Sequence, residues 1–252
     1  MKIIYEDSQI IVCYKEAGLP VQSARIGVKD LESMLKNYLR EQTGKPPYLG
    51  VIHRLDQPVE GVLVFAKNPQ AAAGLSAQVS DGRMKKIYHA VVRLPEEAAG
   101  GEIASGKDLP EEGTLEDYLL KEGKSNSSRI VPEHTKGAKL AKLDYRILEE
   151  KERMIPDDFL AESGENGKTV GDHETIALAE ILLHTGRHHQ IRVQMSGAGM
   201  PLLGDRKYGK EQTGEKGFQL ALCAVSLEFF HPRTEKKMHF TCEPQGEYFK
   251  LF

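Results

Sequence analysis

His53-Arg54-Leu55-Asp56-Gln57-Pro58-Val59-Glu60-Gly61-Val62-Leu63-Val64-Phe65-Ala66-Lys67 sets a guanidinium and a carboxylate two positions apart, then runs through five apolar residues to a lysine. An apolar run of that length, opened by a glycine and rich in branched side chains, reads as a buried strand over 61–67. Asp56 therefore sits on the turn that feeds a core strand. By itself, an Arg-Leu-Asp turn is more often a capping aspartate than a reactive one.

Outward from this strand, the local signals are clear. Asn68-Pro69 supplies an N-cap followed by a proline in the first helical position, predicting a short Ala-rich helix to about Ser80. Asp81-Gly82 turns the chain into a strand over 84–93. Upstream, residues 2–14 alternate as one or two strands broken at Asp7-Ser8, and 15–21 reads as a loop. Asp30 caps a helix whose apolar positions Leu31, Met34, Leu35, Tyr38 and Leu39 share one face, with Gly44 and Pro46 ending it. Downstream, 95–113 is a polar loop, and strands are predicted near 115–121, 127–132, 140–149 and 175–183. Gln190–Met195 begins a helix, and 218–230 and 236–242 read as closing strands. Many strands with few, irregularly spaced helices predict an α+β fold with a mixed, mainly antiparallel central sheet and flanking helices.

The chain has 252 residues, 40% of them hydrophobic and 28% charged, as expected for a globular protein with a full core. No apolar run approaches the roughly 18 residues of a membrane span, and no targeting segment is legible ahead of the first strand. Cys13, Cys223 and Cys242 form no Cys-x-x-Cys pair and read as reduced thiols, which predicts a cytoplasmic protein with no membrane partner. There is no G-x-G-x-x-G, no H-E-x-x-H and no Cys-rich metal spacing, so neither cofactor nor metal is expected. Gly167-Lys168-Thr169 resembles the end of a phosphate-binding loop, but Glu162 stands where its first glycine belongs. His184 and His188 have metal-ligand spacing, yet Gly186 interrupts the helix they need.

A second stretch changes the weight of the first: Leu183-His184-Thr185-Gly186-Arg187-His188-His189-Gln190-Ile191-Arg192-Val193, followed by Gly204-Asp205-Arg206-Lys207-Tyr208-Gly209. Together the two resemble the main signatures of the RluA-type pseudouridine synthases, which isomerise uridine within RNA. The resemblance runs from about residue 10 to residue 240. It implies the same α+β architecture, no cofactor, and RNA (rRNA or tRNA) as partner. The pattern predicts one catalytic domain over 1–252, monomeric, without an appended amino-terminal RNA-binding module, and with 150–174 as an acidic surface insertion.

Residue by residue, the resemblance makes Asp56 the nucleophile, since an ionised and aimed carboxylate forms a covalent intermediate. Arg192 corresponds to the arginine that pairs with that nucleophile and holds it ionised. Tyr88, in Lys86-Ile87-Tyr88, matches the tyrosine set against the uracil ring, a residue type suited to stacking and to proton transfer. Arg54 matches the arginine that fills the gap left by a flipped base. His53, Arg187, His188, His189, Gln190, Arg206 and Lys207 complete the expected RNA contacts, several of them at a helix N-terminus suited to phosphate. The expectation is that positions 56, 88 and 192 converge. Without the resemblance, Tyr88 reads as a core strand residue and Arg192 as an exposed helix arginine.

Net charge is −3, but its distribution is uneven: 149–174 carries nine acids against three bases, and 184–210 five bases against Asp205. Such segregation suits one RNA-facing side, and it equally suits solvated faces of unequal charge. The family usually has Thr-Ser ahead of the glycine where this chain has Val59-Glu60, Glu16 replaces a proline, and Cys223 replaces a histidine. Val59-Glu60 keeps alive a catalytically silent RNA-binding protein that retains the synthase cleft. A glycosidic-bond hydrolase with Glu60 as the second carboxylate is a third reading.

Overall fold

Two antiparallel strands at the amino end, β1 (Lys2–Glu6) and β2 (Ile10–Lys15), turn about Asp7, whose Oδ1 accepts the backbone N–H groups of Gln9 at 2.7 Å and Ile10 at 2.9 Å. That local bond is why the chain breaks there. The computed structural model describes residues 1–25, 27–95, 110–123, 125–154, 173–209 and 219–252. They fall into two compact units, 1–87 with 223–244 and 88–222 with 245–252.

In the first unit, α1 (Leu31–Thr43) begins where Asp30 accepts Ser33 N–H and ends at Gly44 in the left-handed conformation, as the sequence predicted. A short β3 (Gly50–Val51) and then β4 (Glu60–Ala66) follow, and α2 (Pro69–Ser80) is capped by Asn68 on Ala71 N–H. β4 pairs antiparallel with β2 and parallel with β10 (Leu222–Phe230), on which β11 (Lys237–Thr241) folds back antiparallel. All seven residues of β4 and all six of β2 are buried. Val12, Val62, Val64, Leu75, Leu227 and Phe229 form the heart of this core. Gly61 is required by that packing: its φ is +130°, and a Cβ there would stand 2.4 Å from Ala224 O.

The second unit holds the rest of β5 (Lys85–Arg93) and the antiparallel run β9 (His173–Leu183), β8 (Lys139–Met154), β6 (Glu112–Glu122), β7 (Ser127–Val131). α3 (Gln190–Gly197) packs on β6 and β7. A 3-10 turn at Glu247–Leu251, which local sequence patterns did not signal, inserts Tyr248 among Val91, Ile176, Leu203 and Ala221.

The α+β class and the mixed, mainly antiparallel sheet are as expected. The expected loop over 95–113 lies mostly outside the described residues. So does 155–172 of the acidic stretch, whose described ends belong to β8 and β9. Glu174, at its margin, is buried between Arg93 and Arg153.

Candidate active site and nucleic-acid interface

The Asp56 turn is closed by Val59 N–H donating to Asp56 O at 3.0 Å and is clamped from behind by Lys15. Lys15 is fully buried, and its ammonium donates to the carbonyls of Glu16 (3.0 Å), Leu19 (2.6 Å) and Gln57 (3.0 Å), matching three donors with three acceptors. Gln57 adds two further bonds with Gly18, its main-chain carbonyl accepting Gly18 N–H at 2.9 Å and its side-chain Nε2 donating to Gly18 O at 3.0 Å. Burial lowers the Lys15 pKa to about 8 while the carboxylates of Asp56 and Glu60 oppose it. At neutral pH, Lys15 is thus a cation held behind the candidate nucleophile.

The two departures after the turn have clear positions. Val59 is an apolar wall, 2% exposed, and Glu60 is buried with its carboxylate accepting the Tyr14 hydroxyl. Burial and that bond both push the Tyr14 pKa up, so the phenol stays a donor. Cys223 lies beside this pair with its Sγ 3.9 Å from Cys242 Sγ.

His53 accepts Val64 N–H at Nε2 (3.4 Å), which places its proton on Nδ1, a sealed atom without a partner among the described residues. Burial, aided by Lys86, drives its pKa to about 3. Arg54 is exposed. His53 is therefore a neutral support of the signature turn, and Arg54 its solvent-facing cation.

In the second unit, Tyr88 is buried in β5. Arg192, on the first turn of α3, is also buried rather than lying on the helix surface. Its guanidinium grips Asp205 bidentately, Nε to Oδ2 at 2.7 Å and Nη2 to Oδ1 at 2.6 Å, and lies 5.0 Å from the Tyr208 ring centroid. Asp205 Oδ1 also accepts the backbone N–H groups of Lys207 (2.9 Å) and Tyr208 (3.1 Å). One carboxylate thereby fixes both the arginine and the loop after it.

His188 and His189 stack at 3.8 Å. His188 bonds Ser128 Oγ (2.9 Å) and Asn126 Oδ1 (3.2 Å). Tyr208 OH accepts Ser128 N–H at 2.8 Å and shares a hydrogen bond of 2.7 Å with His189 Nδ1. Burial, with Arg192 second, lowers the His189 pKa to about 3. Gln190 is buried and ties Thr185, Arg187 N–H and Lys142 O together. Lys207 spends its ammonium on Ser125 O and Asn126 O at the β6–β7 turn. Arg187 gives Nε to Leu140 O, and Arg206 is exposed.

A family profile described as RNA pseudouridylate synthase matches residues 9–197. This chain belongs to that family. The synthase is 29% identical over 246 residues to tRNA pseudouridine synthase C of Vibrio cholerae, covering 94% of this chain and 88% of the relative. It is 32% identical over 253 residues to ribosomal large subunit pseudouridine synthase D of Pseudomonas aeruginosa, covering 94% and 66%. Its fold resembles that of human RNA pseudouridylate synthase domain containing 4, with a TM-score of 0.68 at 21% identity over 99% of this chain and 90% of the other. It is accordingly an RNA pseudouridine synthase of the RluA type.

The residues of each signature stand where their own unit holds them: His53, Arg54 and Asp56 on the turn before β4, and Arg187 to Arg192 with Arg206 and Lys207 around the start of α3. Sequence reasoning missed Lys15, Tyr14, Ser128 and the Arg192–Asp205 grip. Asp205 was visible in the second signature, but only side-chain geometry shows what it holds. Among the described residues, no group of three or more His, Cys, Asp or Glu is arranged to hold a metal ion.

The two depressed histidines predict acid behaviour of the synthase. An unfolded histidine binds its proton near pH 6.5, whereas His53 and His189 resist to about 3. The unfolded chain then holds protons the native chain does not, so stability falls as pH drops from about 6.5 toward 3. Each group steepens that fall by up to about 1.4 kcal/mol per pH unit. Urea midpoints at pH 6.5, 5.5 and 4.5 should fall less steeply in His189→Asn than in the parent. Parallel lines would deny His189 a depressed pKa.

Proposed function

We propose that the synthase converts uridines of structured RNA, rRNA or tRNA, to pseudouridine with Asp56 as nucleophile and with base flipping. The observation that carries this is the Asp56 turn, closed on itself and held by the buried Lys15 ammonium, which sets a half-buried aspartate on a rigid support. The bond between ribose C1′ and N1 breaks, the base rotates, and C1′ joins C5. N1 gains a proton, C5 gives one to solvent, and Asp56 is released unchanged. Tyr88 is assigned the C5 proton, and Arg192, anchored by Asp205, the part of keeping the nucleophile ionised. Arg54, exposed beside the turn, fills the space of the flipped base.

The tRNA and ribosomal relatives support both substrate classes. No described helix is long and apolar enough to cross a membrane, and the free thiols fit a reducing, cytoplasmic compartment. We place the synthase there as a monomer. The test is tritium release from total RNA labelled at uracil C5 and taken from a strain lacking the protein, paired with mapping of the pseudouridines that strain has lost. Release together with sites restored by the parent gene is expected. Full retention of every pseudouridine in the deletion strain, with no release in vitro, would reject the reading and favour the silent RNA binder.

A further inference from the structure

Beside the start of α3, β6, β8 and the loop at Gly186 enclose a cleft of about 200 Å³. Its charged lining is uniformly basic: Lys121 from β6, Lys139 from β8 and Arg187 from the loop, with Ser128 and His188 forming one wall. Lys121 pairs across the ladder with Ser128, and Lys139 with Leu119, so two separate strands deliver the two ammonium groups. Neither lysine has a carboxylate partner among the described residues. The neighbouring acids are engaged elsewhere, Glu122 by Arg129 and Glu116 by Lys142. Arg187 uses Nε on Leu140 O, a bond that fixes the direction of the guanidinium without neutralising it. The wall is equally fixed, because both ring nitrogens of His188 are engaged, by Ser128 and Asn126.

Three cations drawn together from distant positions, in a chain of net charge −3, repel one another and gain from an anion placed between them. The cleft, at about 200 Å³, has room for one phosphodiester group between the three cations. We propose that it is a phosphodiester subsite for the RNA strand flanking the target uridine, held by Lys121, Lys139 and Arg187. This rests on the synthase reading above and adds two lysines, outside both signatures, as determinants of substrate binding. Because all three groups meet backbone phosphate, the subsite positions RNA without reading its sequence.

The test compares the parent, Lys121→Gln/Lys139→Gln, Lys121→Arg/Lys139→Arg, and a charge-matched control, Lys237→Gln/Lys250→Gln, whose exposed lysines lie elsewhere and pair with Glu228 and Glu247. Tritium release from C5-labelled total RNA gives kcat and KM, and binding of in-vitro-transcribed tRNA from 50 to 300 mM salt gives the slope of log affinity against log salt. The glutamine pair is expected to raise KM roughly tenfold with kcat retained, and to flatten the slope by about 0.7 for each phosphate it leaves without a cation. The arginine pair should keep the parent slope. An unchanged slope and KM in the glutamine pair, an equal effect in the control, or a fall in kcat at constant KM would overturn the subsite. No release by the parent would reject the synthase reaction itself, while the binding slopes would still decide the cleft.

Discussion

Asp56→Asn should lower tritium release by about 10⁴-fold or more, since a neutral amide does not replace a carboxylate nucleophile. The fold should tolerate the change. The turn is closed by the main-chain oxygen of residue 56, and Lys15 grips carbonyl oxygens rather than the side chain. RNA affinity, measured beside turnover at equal folded fraction, should stay close to the parent, so lost turnover is lost chemistry. Substantial release by Asp56→Asn would remove the residue as nucleophile. Glu60→Gln would then be the next variant, because Glu60 is the buried carboxylate four residues on.

Asp205→Ala should cost about 3–5 kcal/mol of stability, the range for breaking one side of a buried ion pair. Arg192 loses both of its bonds to that carboxylate, and Lys207 and Tyr208 lose the acceptor for their N–H groups. At roughly 2–4 °C per kcal/mol for a chain of this size, Tm should fall by about 10 °C. Asp205→Asn retains an acceptor for the two backbone groups and should lose less. A Tm change in Asp205→Ala no larger than that of an exposed substitution would mean the carboxylate does not organise the loop.

These two residues show why the site was only partly legible. Asp56 stood out because its turn, its glycine and its strand are contiguous. Asp205 was plainly visible, yet the arginine it grips lies 13 residues away on another element, and spacing alone does not join the two. Lys15 was hidden more deeply. A lysine ending a strand ordinarily meets solvent, and only three carbonyls from two loops make its burial tolerable. Tyr14 and Glu60, 46 residues apart, were likewise beyond any local pattern.

The sequence by itself determined where elements begin and end, because those decisions rest on neighbours: Asp30 and Gly44 around α1, Asn68-Pro69 before α2, and the apolar runs that became β2 and β4. With its two signatures it also determined the family. Tertiary structure alone decided which polar groups are buried and what each holds. A buried charge takes whichever partner folding brings within about 3 Å, and that distance is not written in sequence separation.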